Sequence, residues 1–331
     1  MEIRIDLTNK YTMSELSVVM YHYVREIKNS SFPDIKGLEL KDFREQIKYL
    51  KENYNFITTE ELIESVYNNY KLPPKSVLLT FDDGYVDHYT NVFPILKEFG
   101  IQGSFYIPAK TVKEHKVLDV NKIHFILASV PDKSKIVADI KDLLIDIKER
   151  HDINDFEYYY KKLAIESRYD TAEVIFIKRL LQVELEEEIR MEIVDFLFKK
   201  YLKVSEPNFA KQLYLNEDQI KEMISEGMHI GCHGYNHYWW NRLKPNELEK
   251  EIDLSLDFLE SLGVDLSNWT AAYPYGSHNE DVEIFLEKKK CKLAFTTKVG
   301  IENASLSNRL QLKRLDTNDI TKEQLLNKRL L

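Results

Sequence analysis

Short apolar runs alternate with amphipathic stretches along the first hundred residues. That alternation restricts the chain to a mainly parallel sheet or barrel flanked by helices. "SVVMY" (17–21), "VLLTF" (77–81) and "GSFYIP" (103–108) read as buried strands. Between them Leu40, Phe43, Ile47 and Leu50, then Leu62, Ile63, Val66 and Tyr70, recur at helical spacing. Pro73 and Pro74 break the pattern ahead of the second strand. A helix through Val92, Phe93, Leu96 and Phe99 follows it, ended by Gly100.

The rhythm changes after Ala109. Strand signals and glycine nearly vanish, and apolar residues recur at three- and four-residue steps: Ile136, Ile140, Leu143, Leu144 and Ile147, then Leu185, Ile189, Ile193, Phe196 and Leu197. From Leu213 the alternation resumes, with Asn216 as a helix N-cap, "MHIGCHG" as a strand, a helix marked by Leu248, Ile252, Leu256 and Leu259, then "TAAYPYG", a helix near 279–290 and the strand "KLAFTT". The expected division is 1–111 and 213–331 as two parts of one α/β body, with 112–212 a helical insertion.

Composition narrows the function classes. A net charge of −9 argues against a general nucleic-acid binder. Two cysteines, Cys232 and Cys291, are too few for a disulfide scaffold. The charged start "MEIRIDLTNKYTMSEL" lacks the apolar core of a signal peptide, and no run of about 18 apolar residues is present to span a membrane. The expectation is a cytoplasmic, non-transmembrane protein.

Asp82 and Asp83 stand side by side at the end of a buried strand, where strands of α/β folds collect ligands. Adjacent carboxylates repel and resist desolvation, so they need a cation or an exposed turn. His233 and His237, four apart in "HGYNH", can face one cation; alone they read first as core or surface histidines. With the acidic pair in the same chain, one carboxylate could bind metal while the other serves as a base.

"TFDDG" (80–84), "HGYNH" (233–237) and "YPYG" (273–276), in that order, resemble the first three motifs of the polysaccharide deacetylases, carbohydrate esterase family 4. The flanking strands "GSFYIP" and "MHIGCHG" resemble the family's context. The resemblance covers roughly 15–110 and 213–316 and implies a distorted (β/α) barrel, with the helical insertion outside it. It implies Asp83, His233 and His237 as ligands of a divalent metal, zinc first, with cobalt, nickel or manganese as alternatives. It implies Asp82 as general base and the Tyr275 backbone N–H as oxyanion donor. Tyr273 and Pro274 would line the substrate site. Trp239 and Trp240 could form an apolar wall against a sugar ring, or lie in the core.

Three departures stand out. Gly234 occupies a place usually held by Ser or Thr. Ala272 stands where the family carries an arginine that orients the base; Arg314 could supply that charge, or pair at the surface with Asp316. The family's C-terminal Leu-x-His strand is absent. "VVMYH" (18–22) looks like that motif permuted to the other end of the chain, which assigns His22 as general acid; the alternative is a hydrogen-bonded core histidine. The expected reaction is metal-dependent removal of an N-acetyl group from an amino sugar, free or nucleotide- or lipid-linked, in surface polysaccharide biosynthesis. Deformylation or another small-amide hydrolysis, and a sugar-binding barrel without turnover, are the rivals.

Overall fold

The computed structural model describes residues 15–167 and 170–320; the charged N-terminal segment and "LLNKRLL" lie outside them. The chain divides into two compact units. One contains the described residues up to Val24, Leu40–Ala109 and those from Leu215 onward; the other contains Arg25–Glu39 and Lys110–Tyr214.

The first unit is a barrel of parallel strands: β1 (Leu16–Tyr21), β2 (Ser76–Asp82), β3 (Gly103–Ile107), β4 (His229–Cys232), β5 (Ala271–Ala272), β6 (Ala294–Val299) and β7 (Leu312–Asp316). Each strand pairs with the next in the chain. β7 closes the ring by pairing with β1, Val19 opposite Leu315. β1 runs along one edge of β2 from Leu16↔Ser76 to Tyr21↔Phe81, so the short strand Asn55–Phe56 and β3 share the other edge.

Every residue of β2 is buried, as expected of a parallel strand covered on both faces. Leu16, Val18, Leu78, Tyr106, Phe295 and Leu312 form one apolar cluster with Leu62, Ile63 and Val66 of helix Thr59–Asn68. Above it along the same strands come Thr80, Asp82 and Arg314, so the interior turns polar toward the C-terminal strand ends. Helix starts agree with sequence signals. Thr58 and Asn216 each complete a capping box.

The second unit is helical. Ile136, Ile140, Leu144 and Ile147 are the buried stripe of helix Ser134–Lys148, and Ile189, Ile193 and Leu197 that of Glu187–Leu202. Leu143 and Phe196 fall off those stripes; Phe196 is 47 % exposed. Chain continuity alone assigns 25–39 to the barrel, but Phe32 packs edge-on against Phe125 (4.9 Å) and Phe209 (6.1 Å), and the segment groups with the helical unit.

Leu78 sits in the barrel's apolar cluster with no exposure. Leu78→Ala should lower unfolding free energy by about 2–5 kcal/mol, read from urea denaturation, because the rigid strands around it cannot collapse into the void.

Candidate functional site

Two carboxylates leave the end of β2 in different directions. Asp82 still follows the strand alternation and faces the barrel interior, where Arg314 of β7 meets it with two parallel bonds, Nη1 to Oδ1 at 2.8 Å and Nη2 to Oδ2 at 2.7 Å. Both residues are at most 2 % exposed. Arg314 is itself held by the Thr296 carbonyl (2.8 Å) and the Thr80 hydroxyl (3.2 Å). Burial alone pushes the Asp82 carboxyl up; the Arg314 charge, then His233, outweighs it and holds the group below its usual value. The surface pair with Asp316 does not form. Asp316 instead accepts the Asn318 N–H at 2.9 Å in the turn after β7.

Asp83 leaves the strand with φ +73°, a left-handed conformation that swings its side chain away from Asp82 toward the histidines. Its Oδ2 accepts the Tyr85 hydroxyl at 2.5 Å. Its Oδ1 faces His233 Nε2 at 3.5 Å and His237 Nε2 at 3.4 Å. One donor atom from each of these three buried side chains lies within 4.8 Å of the others. His233 donates Nδ1–H to the Ala272 carbonyl at 2.6 Å, which makes Nε2 the nitrogen that would face a ligand. Two imidazole nitrogens and one carboxylate oxygen suit a divalent transition metal such as zinc, so the donor set fits the implied cation.

The two imidazoles have ring centres 4.7 Å apart, so a positive charge on one disfavours a positive charge on the other. Burial lowers His233, but its hydrogen bond to Asp83 and the two aspartate charges raise it overall. His237, with burial and the His233 charge against it, falls to about 3. Desolvation raises Asp83, yet the His233 hydrogen bond and the His237 charge bring it well below the usual carboxylate range.

His22 follows β1 directly and is half-buried, close enough for its charge to act on Asp82, Asp83 and His237. Its backbone carbonyl is held at 2.9 Å by His88 Nε2, which must be the protonated nitrogen because a carbonyl only accepts. Burial drops His88 to about 4, so it stays neutral.

"YPYG" turns at Tyr275, whose φ of +58° is left-handed. A Cβ on Gly276 would come within 2.1 Å of Thr297 Oγ1, so glycine is required there. The half-buried Tyr275 ring lies 4.6 Å from His237 and stacks on Trp239 at 4.5 Å, nearly parallel. Arg242 covers Trp239 at 5.2 Å. Tyr273 and Pro274, expected to line a substrate, are instead core, and Trp240 takes its core alternative. Trp240 has no exposure and packs edge-on against Tyr273. Tyr273 is also fully buried, its hydroxyl donating to the Leu310 carbonyl at 2.8 Å, and Pro274 is buried beside it. Trp240 opens a short 3-10 turn, Trp240–Arg242, and is buried there, so only Trp239 of the pair remains at the site.

Sequence reasoning passed over Tyr85, His88 and Glu251. Tyr85 and His88 lie within six residues of the paired aspartates, and that proximity is their only signal. Glu251 shows a better one: it is an acid inside the apolar stripe Leu248, Ile252, Leu259 of helix Pro245–Ser261.

The Asp82–Arg314 pair yields a pH-dependent expectation. Arg314→Met strands a buried carboxylate and should cost about 3–5 kcal/mol at pH 7. The wild-type carboxyl titrates below its unfolded value, so its stabilising share is present above that value and lost as pH falls through the folded pKa. In the variant the carboxyl titrates upward, and protonation relieves the stranded charge. The stability gap between the two proteins should therefore narrow as pH falls from 7, measured by urea denaturation across that range.

Comparison with known proteins agrees with this geometry. The sequence profile described as polysaccharide deacetylase matches residues 69–172 and 184–294, well over half of the chain, including both aspartates and both histidines but not His22 or Arg314. YxkH of Bacillus subtilis (strain 168) is 30% identical over 100 residues, 30% of this chain and 34% of that protein. The poly-beta-1,6-N-acetyl-D-glucosamine N-deacetylase of Escherichia coli (strain K12) is 47% identical over 57 residues, 17% of this chain and 8% of that one. The chain thus spans about a third or less of the length of these relatives. Among solved structures, the Streptococcus pyogenes deacetylase PplD in complex with acetate superposes with a TM-score of 0.59 at 20% identity, covering 96% of this chain and 98% of that one. IcaB from Ammonifex degensii gives 0.52 at 18% identity, covering 94% and 100%. The barrel is the one these structures share, and by the extent of the profile match the chain belongs to the polysaccharide deacetylase family.

Proposed function

We propose that this chain is a metal-dependent hydrolase that removes the N-acetyl group from an amino sugar of a polysaccharide. The observation that carries the reading is the division of the paired aspartates: Asp82 is gripped by Arg314, while Asp83 faces two histidine Nε2 atoms. The named activity of the Escherichia coli and Staphylococcus epidermidis relatives, both poly-beta-1,6-N-acetyl-D-glucosamine N-deacetylases, supports an N-acetylglucosamine polymer as substrate. A nucleotide- or lipid-linked sugar handled in the cytoplasm is the alternative form of the same substrate. Among the described residues no helix is long and apolar enough to cross a membrane.

A divalent cation held by Asp83, His233 and His237, zinc first in our assignment, supplies Lewis acidity that lowers the pKa of water toward about 7. Asp82, fixed by Arg314, takes a proton from the attacking water as its oxygen bonds to the amide carbon. The Tyr275 N–H donates to the oxyanion, a contribution typically of about 3–4 kcal/mol to the barrier. The C–N bond breaks as His22 passes a proton to the departing nitrogen, giving acetate and a free amine. The pairing of β1 with β7 supports the permuted origin of His22. A C-terminal strand following β7 would occupy the slot between β7 and β2 that β1 fills. The half-buried Trp239–Tyr275 stack offers apolar surface beside the candidate metal ligands for a sugar ring. The intact Asp82–Arg314 pair weighs against a barrel that only binds sugar.

Acetate release from poly-N-acetylglucosamine, compared with a nucleotide-linked N-acetyl sugar, tests the substrate; no release from either with zinc-loaded protein would defeat the proposal. Asp82→Asn should keep full metal stoichiometry and lose turnover by about two to four orders of magnitude, because the amide cannot accept a proton. Equal metal loss in Asp82→Asn and Asp83→Asn would reverse the division of roles.

His22→Ala should keep fold and metal and lose most amide turnover. Activity on an acetate ester should fall less, since an alkoxide leaves with less help than an amine. Equal losses on both substrates would remove His22 from the acid role.

A further inference from the structure

The loop between the two metal-facing histidines closes around a carboxylate. Glu251, 3 % exposed, projects from helix Pro245–Ser261 into that loop. Its Oε1 accepts the Asn236 backbone N–H at 2.6 Å, and its Oε2 the Asn236 side-chain amide at 2.8 Å. The backbone N–H groups of Tyr238 and Tyr235 bond to it as well. A Cβ at Gly234 would lie 2.8 Å from Glu251 Oε1 and 3.1 Å from Trp240 Nε1, and the residue has φ +75°. Glycine is what lets the loop wrap this tightly.

The consequence falls on His237. A metal-facing histidine is ordinarily aimed by a hydrogen bond on its other ring nitrogen. His233 has one, to the Ala272 carbonyl. His237 Nδ1 is buried and meets no hydrogen-bond partner among the described residues. Its direction comes instead from its own backbone, left-handed at φ +64°, and from the Tyr275 ring beside it. That backbone is the end of the loop Glu251 gathers.

We infer that Glu251 is a positioning residue for the metal site: its carboxylate shapes the 234–238 loop and thereby aims His237 Nε2 at Asp83. It does through the backbone what the Ala272 carbonyl does directly for His233. The inference rests on reading Asp83, His233 and His237 as a metal site.

The test is zinc affinity, measured by competition with a chromophoric chelator, together with the visible spectrum of the Co2+-loaded protein. The proteins compared are wild type, Glu251→Gln, Glu251→Met and Asp83→Ala. Glutamine keeps the volume but turns an acceptor oxygen into a donor facing the loop's N–H groups; methionine removes both acceptors. Zinc affinity should fall roughly 10–100-fold in each, with a changed Co2+ spectrum. Wild-type affinity and spectrum in Glu251→Gln overturn the inference, whether or not the methionine variant folds. A lowered Tm with unchanged affinity also overturns it, because that is a purely structural role. Asp83→Ala that binds zinc as tightly as wild type overturns the metal-site reading itself, a result separate from either Glu251 outcome.

Discussion

The buried pair of Asp82 and Arg314 ties two strands that are not neighbours. β2 and β7 flank β1 on opposite sides, so the guanidinium crosses the barrel interior to reach its carboxylate. A charge pair buried this deeply costs desolvation and stabilises only when its geometry is satisfied. Here both carboxylate oxygens are bonded, and Nε and Nη1 of the guanidinium find oxygen partners on β6 and β2. The apolar cluster below fixes the strands, the strands fix Arg314, and Arg314 fixes which way Asp82 faces. Asp83 can then turn outward without contesting the same space.

Much of this was legible in the residues, though unevenly. Barrel strands and helices follow from short apolar runs and helical spacing, and Asn216 from its capping pattern, because each signal is local. The candidate cation ligands were legible because the acidic pair and the histidine pair are each written as residue types at short spacing. Arg314 was visible only as one of two options: its partner lies 232 residues away, and only closure of the barrel brings them together. Tyr273 and Pro274 were expected at the substrate and are core, and Trp240 takes the core alternative that was left open for it, because burial at the turn after a strand is set by residues distant in sequence. The segment 25–39 was assigned by continuity, whereas one aromatic, Phe32, decides where it packs. Glu251 was overlooked for a related reason. An acid at helical spacing reads as solvated until the loop that needs it is seen.

The histidine pair carries its own electrostatic logic. Protons favour His233 and shun His237, so the metal-free site already leaves one imidazole neutral beside an ionised Asp83. A divalent cation would therefore compete with a proton at His233 and not at His237.

Asp83, His237 and Tyr275 all hold left-handed backbones, a conformation that ordinary side chains enter at a cost of order 1–3 kcal/mol each. Glycine would sit at each position with less strain. The fold therefore resists its own chemistry at these points, and the two demands pull sequence drift in opposite directions. A laboratory lineage selected for heat tolerance alone would gain by replacing these side chains, and would arrive at a sturdier barrel stripped of two of its three candidate cation ligands.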